Sequence, residues 1–187
     1  MSESTYTYYK SETAKVGKGS VILHGTVLGD DVKIGTNCSI GHYTLIQKNA
    51  VIKSNTKIGS FCHIGKGVKI GSYVEICQYA DIGEGSIVED YAYIGAGVTF
   101  ANIKRIAHHR DFEPEVVGAY VERGARIAPR ALVLPGVRIG KEALVGSGAV
   151  VAKDVPSREI WFGFPAIKRG TVPEAEYLKG VKNVKSI

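Results

Sequence analysis

From Val16 onward every sixth residue is apolar: Val16, Ile22, Leu28, Ile34, Ile40, Ile46, Ile52, Ile58, Ile64, Ile70, Ile76, Ile82, Val88, Ile94 and Phe100, fifteen positions without an exception. Four places after each stands a small or β-branched residue, from Ser20, Thr26, Val32 and Cys38 to Ala92 and Val98, until Lys104 breaks the column. A period of six fits neither the helical repeat of about 3.6 nor the plain alternation of a single strand. It fits a β-solenoid, in which a short strand, a turn and the next short strand recur. Three such hexads close one triangular coil of eighteen residues, and coils stack about 4.8 Å apart as parallel strands. The expected fold is therefore an all-β parallel β-helix, with five coils before the break.

The beat returns at Val121, Ile127, Val133, Ile139, Val145 and Val151, with Ala125, Ala131, Val137, Ala143, Ala149 and Val155 as small partners. From Phe100 to Val121 is 21 residues, which is not a multiple of six, so the segment from about 103 to 118 must leave the coil as a loop. Its sequence includes the basic, histidine-bearing stretch KRIAHHR. A long excursion from a strict repeat marks function, because the repeat itself does not need it. The domains expected are an N-terminal arm or cap over 1–15, the β-helix over 16–156 with its loop, and a C-terminal cap and tail over 157–187. In that tail, PEAEYLKG is expected to start a short helix with Pro173 in its first turn.

At 187 residues the chain reads as one domain, and no apolar run approaches the length that crosses a bilayer. The first fifteen residues, MSESTYTYYKSETAK, hold no apolar h-region, so the expectation is a soluble, cytoplasmic protein with no membrane partner. Three cysteines, Cys38, Cys62 and Cys77, form no CxxC pair and leave an odd count, which argues against a disulfide framework or a thiolate zinc site. The net charge of +6 is scattered except for the loop cluster, so a small polyanionic ligand is expected rather than a nucleic acid.

Residues eighteen apart should stack. Tyr43, Phe61 and Tyr79 then form one column and Tyr73 with Tyr91 another, either as ring-on-ring ladders or as a strip buried between prisms. His24 stacks with His42, and His63 with Asp81. Zinc, held as in the gamma-class carbonic anhydrases that use this kind of solenoid, needs convergent ligands. The adjacent His108 and His109 should point apart in an extended loop, so no metal is expected.

The register as a whole, with IGKEALVGSGAVVAKDVPSREIWFGFPA from Ile139 to Ala166, resembles the left-handed β-helix (hexapeptide-repeat) acyltransferases. Handedness comes from that resemblance alone. Within the superfamily the likeness is greatest to nucleotide-linked amino-sugar N-acetyltransferases, through Glu89-Asp90 and then Phe100-Ala101-Asn102 opening a loop. Ala101 stands where that group has threonine, and the Pro-Arg that commonly follows is absent. The resemblance implies a homotrimer, acetyl-CoA as co-substrate in the groove between neighbours, and a UDP- or dTDP-linked deoxysugar as acceptor near the loop. It implies CoA contacts at Ala128, Gly146, Ser147, Lys153, Phe164, Pro165, Lys168 and Arg169. Substrate contacts fall to Gln78, Glu89, Asp90, Asn102, Lys104, Arg105 and Arg110.

Acetyl transfer needs a proton acceptor and a donor for the oxyanion. Histidine suits the first role near neutral pH, so His108 or His109 is the expected base, with Asn102 and Glu89 positioning the acceptor. Other readings are a sugar O-acetyltransferase, a non-catalytic trimeric scaffold and a zinc hydratase. The loop, the basic cluster and the VVAKDVP tail favour catalysis.

Overall fold

The computed structural model describes residues 7–179. Three parallel sheets form the walls of a prism. The first face runs from Tyr9–Lys10 through Val27–Leu28, Leu45–Ile46, His63–Ile64, Asp81–Ile82, Thr99–Phe100 and Leu132–Val133 to Val150–Val151. The second runs from Lys15–Val16 to Arg138–Ile139, and the third from Val21–Ile22 to Leu144–Val145 before the tail extends it. Each strand pairs in parallel with the one eighteen residues on, as Val27 does with Leu45. Across the loop the step becomes 33, pairing Ile87 with Tyr120 and Thr99 with Leu132.

In each two-residue strand only the second residue faces inward, as in Leu45–Ile46. Leu28, Ile46, Ile64 and Ile82 have no exposed surface. The small column fills the space behind them, and its polar members also stitch coils together. Thr44 Oγ1 donates to Gly59 O at 2.8 Å and accepts from Cys62 N at 3.2 Å. Thr56, two hexads further on, and Ser20, four hexads back, do the same. The buried thiols imitate this pattern: Cys38 donates to Lys53 O and Cys62 to Cys77 O, while burial pushes the Cys62 thiol up from its ordinary value. Each thiol gives a carbonyl fifteen residues on a weak donor that a hydrocarbon could not supply.

Glycine after the inward residue is a matter of space. A Cβ on Gly59 would stand 2.4 Å from the backbone nitrogen of Gln78 on the next coil. The third place after the inward residue is different, because its backbone is left-handed. Glycine or asparagine occupies it at many corners, yet Tyr43, Phe61, Tyr73, Tyr79 and Tyr91 also take φ between 53° and 62° there. Such a conformation costs an L-residue roughly 1–2 kcal/mol. Stacking offsets it: Tyr43, Phe61 and Tyr79 lie with centroids 5.4 and 5.3 Å apart and planes 15° and 5° from parallel. Tyr73 and Tyr91 stack at 5.0 Å.

The N-terminal boundary differs from expectation, and the C-terminal cap takes a form the period did not show. Tyr9–Lys10 and Lys15–Val16 are already rungs, paired with Val27–Leu28 and Lys33–Ile34, so the solenoid begins inside the segment expected as an arm. The segment expected as an arm or cap thus supplies a paired rung: main-chain pairing needs no apolar side chain, and Lys10 holds its place in the beat without showing it. At the other end Glu159–Gly163 pairs in parallel with Leu144–Val145 and antiparallel with Ala166–Thr171, covering the last coil with a hairpin. The expected helix is one 3-10 turn, Glu174–Glu176, with Pro173 extended in front of it. The rest of that expectation, at Gly180, and the tail beyond it lie outside the described residues. Among the described residues no helix is long and apolar enough to cross a membrane.

Candidate active site

The excursion leaves the corner between the first and second faces as a β-hairpin. Ile103–Arg105 runs antiparallel to Glu115–Val116, and Val117 N donates to Asn102 O at 2.7 Å to close the neck. The basic side chains expected to meet phosphates are engaged within the hairpin. Lys104 pairs with Glu115 at 3.1 Å, Arg105 lies over the Phe112 ring at 3.8 Å, and Arg110 Nη1 donates to His108 O at 2.6 Å. His108 and His109 are both exposed. Their rings do not point apart: they meet edge-on with centroids 4.2 Å apart, because His109 turns into the left-handed region at φ 52°.

Glu89 and Asp90 do not reach the hairpin tip. Glu89 accepts from the Tyr120 hydroxyl and, at 2.9 Å, from Arg123 N. That hydrogen bond pushes the Tyr120 phenol up from its ordinary value, since ionisation would set two anions together. Asp90 is buried, accepts from Ser72 N at 2.7 Å and lies 3.8 Å from the Arg123 guanidinium. Both carboxylates fasten the first rung after the hairpin onto the coil below. Asn102 is half-buried at the neck, and Gln78 is exposed on the corner where the first face begins.

One pairing carries more chemistry than its eighteen-residue spacing suggested. His63 Nδ1 lies 2.7 Å from Asp81 Oδ1 on the outer side of the first face, with side chains 39% and 52% exposed. The carboxylate fixes the imidazole's orientation through Nδ1 alone. Unlike the hairpin pair, these side chains stand on rigid rungs. Among the described residues no group of three His, Cys, Asp or Glu is placed to hold a metal ion.

The residues implied for CoA fall in two places. Ala128, Gly146 and Ser147 lie on the corner between the third and first faces, with Phe162 packed over Gly146 so that a Cβ there would meet its Cβ at 2.6 Å. Lys153, Pro165 and Lys168 line a notch of about 210 Å³ with Ala152, Trp161 and Ile167. Phe164 is 84% exposed beside it, and Arg169 lies over the Phe162 ring at 5.3 Å. Lys168 is not free, since its Nζ stands 2.6 Å from Glu159 Oε1, leaving Lys153 as the notch's unpaired cation among the described residues.

Lys168 first, and Trp161 Nε1 at 2.7 Å second, hold the Glu159 carboxyl below its ordinary range. A folded value below the unfolded one stabilises the folded state at neutral pH, and that contribution is lost as pH falls through the folded value. Fluorescence of Trp161, the single tryptophan, is therefore expected to stay constant past the ordinary glutamate value of about 4.3 and to change only in stronger acid. A transition centred at or above that value would contradict the pairing.

Residues 13–48 and 44–80 match the family described as bacterial transferase hexapeptide (six repeats). A galactoside O-acetyltransferase of Lactococcus lactis is 34% identical over 58 residues, 31% of this chain and 28% of that protein. A 2,3,4,5-tetrahydropyridine-2,6-dicarboxylate N-acetyltransferase of Staphylococcus aureus is 34% identical over 74 residues, 40% of this chain and 28% of that one. The matched stretches thus span under a third of these curated relatives. Among solved structures, the polySia-specific acetyltransferase NeuO superposes with a TM-score of 0.61 at 18% identity, covering 93% of this chain and 87% of its own. A hexapeptide-repeat acetyltransferase of Vibrio cholerae, solved with acetyl coenzyme A, gives 0.53 at 17% identity over 84% of this chain and 73% of its own. At such identities the superpositions establish the fold.

Proposed function

We propose that this chain, whose N-terminal coils are bacterial transferase hexapeptide repeats, is an acetyl-CoA-dependent acyltransferase that acetylates the amino group of a nucleotide-linked deoxysugar. The observation that carries the reading is the fifteen-residue hairpin set into an otherwise unbroken prism wall, with two exposed histidines at its turn. A scaffold needs no such insertion. The notch holding Lys153, together with the corner of half-buried Ala128 and Gly146 and exposed Ser147, suits the phosphates and pantetheine arm of CoA. The acetyltransferase names among the relatives support the reaction class.

In the transfer, the amine nitrogen attacks the thioester carbonyl, a C–N bond forms, the C–S bond breaks, and CoA leaves as the thiolate. The nitrogen's proton passes to His108 or His109 and then to the departing sulfur. Asn102 at the hairpin neck positions the acceptor. Glu89 and Asp90 act on the substrate side through the rung they hold, with Gln78 at the opposite edge of the first face. A second proton acceptor is favoured by one observation, the 2.7 Å contact of His63 with Asp81, which sets an imidazole ready without any loop movement. Acetylation of a sugar hydroxyl, as the name of the Lactococcus relative describes for that protein, is the alternative outcome.

The enzyme works in the cytoplasm as a homotrimer. Tyr9, Val27 and Leu45 on the first face, beside Tyr43 and Phe61 on its edge, make a strip of exposed apolar residues that a neighbouring prism would cover.

The test is thiol release from acetyl-CoA with a panel of UDP- and dTDP-linked amino sugars, run beside His108→Ala, His109→Ala and His63→Ala. Turnover of one amino sugar is expected, reduced about 10²- to 10⁴-fold in the variant that loses the base. Thiol release with no acceptor in the panel, and no CoA binding, would return the chain to the scaffold reading.

A further inference from the structure

The corner where the first face begins carries a ladder with a vacant rung. Going up it, the residues with left-handed backbone are Gly25, Tyr43, Phe61, Tyr79, Gly97, Arg130 and Gly148. At the bottom the ring of Tyr43 folds over Gly25, so that a Cβ on that glycine would lie 2.3 Å from its Cδ1. At the top the ladder stops at Tyr79, which is 62% exposed and stacked only from below, on Phe61. Above it a Cβ on Gly97 would meet one atom, Arg130 Cγ, at an ordinary contact of 3.6 Å. Arg130 sits on the next coil, its backbone N–H donating to Ala96 O at 2.9 Å. Among the described residues its guanidinium has no carboxylate and no ring, whereas Arg105, Arg123, Arg138, Arg158 and Arg169 each lie over an aromatic side chain.

We propose that the gap at Gly97 binds a nucleobase, stacked on Tyr79 below and covered by the Arg130 guanidinium above. A planar ring there continues the offset stacking already present in the column, and the cation gains a π-face in place of water. Exposed Gln78, on the same coil as Tyr79, offers an amide donor and acceptor to the ring's edge. The unpaired cation also favours a ring that carries phosphate. The inference rests on the proposed reaction in one respect: both of its substrates are nucleotides, so the ring is either the adenine of CoA or the pyrimidine of the sugar nucleotide.

The experiment measures binding of CoA, UMP and dTMP by calorimetry to the full chain and to Gly97→Tyr and Arg130→Ala. Gly97→Tyr inserts a ring into a column that already accepts tyrosine at this backbone conformation, so the thermal midpoint should be kept. Binding of one class, CoA or the pyrimidine nucleotides, should weaken at least about tenfold while the other is unchanged, which identifies the source of the ring. Arg130→Ala should weaken the same class by less. Equal binding to wild type and Gly97→Tyr, binding of no nucleotide by the wild type, or a change confined to the assembly state would each overturn the proposal. Loss of nucleotide binding in Gly97→Tyr without any acetyl transfer to amino sugars would keep the slot and remove the reaction. Acetyl transfer with unaltered binding would do the reverse.

Discussion

A variant lacking residues 103–117, with Asn102 joined to Gly118, is expected to fold as well as the parent and to lose acyl transfer to the background of the thiol-release assay. The separation of 21 residues between Phe100 and Val121 is one hexad of six and fifteen more, and fifteen is the length of this segment. What remains, Phe100-Ala101-Asn102-Gly118-Ala119-Tyr120-Val121, is a regular hexad. Ala119 is buried in the small column where Lys104 would otherwise fall, and Gly118 comes into register with the left-handed corner glycines Gly67, Gly85 and Gly136, a conformation glycine adopts freely. The neck hydrogen bond between Val117 N and Asn102 O brings the ends together already. Stability should change by no more than about 1 kcal/mol, since loop length enters closure entropy only logarithmically. A cooperative loss of the whole prism would mean that the hairpin belongs to the fold, and turnover near the parent rate would remove it from the site.

Phe100→Ala is expected to destabilise the protein by about 3–5 kcal/mol, the range for truncating a buried phenylalanine. Among the described residues Phe100 is the largest fully buried side chain, 1% exposed, in a column of buried residues otherwise built from valine, isoleucine and leucine. It stacks between Ile82 and Val133 and fills the interior at the level where the hairpin departs. The urea midpoint should fall with an unchanged slope, and Phe100→Leu should recover most of the loss. A small effect would mean that the neighbouring coils collapse into the space.

The walls were legible in the sequence because each hexad reports its own position: an inward aliphatic, a turn and a small partner are all local. The hairpin's limits followed from the point at which that local rule failed. The tail was harder to read, because Glu159–Gly163 and Ala166–Thr171 form a hairpin with no hexad period, and the first rung was hidden by Lys10 standing where an aliphatic was awaited. The site depended on contacts between coils. Glu89 meets Tyr120 and Arg123, separations of 31 and 34 residues that the insertion removes from any regular spacing. Arg130 comes to rest above Gly97 for the same reason, 33 residues on. His63 and Asp81 keep the eighteen-residue spacing, and it was visible as stacking. The 2.7 Å contact that turns stacking into an oriented imidazole depends on rotamers.

The left-handed corner position has a consequence for how such a protein can change its ligand. Because a ring, a cation, an asparagine or a glycine can occupy it while the wall keeps its pairing, each corner offers one independent setting per coil. Exchanging Tyr79 and Gly97 would lower an opening by one coil, and a further exchange would lower it again, with the interior untouched. A binding feature can therefore be moved in fixed increments by point substitution, and ligands of different length can be matched without redesigning the core.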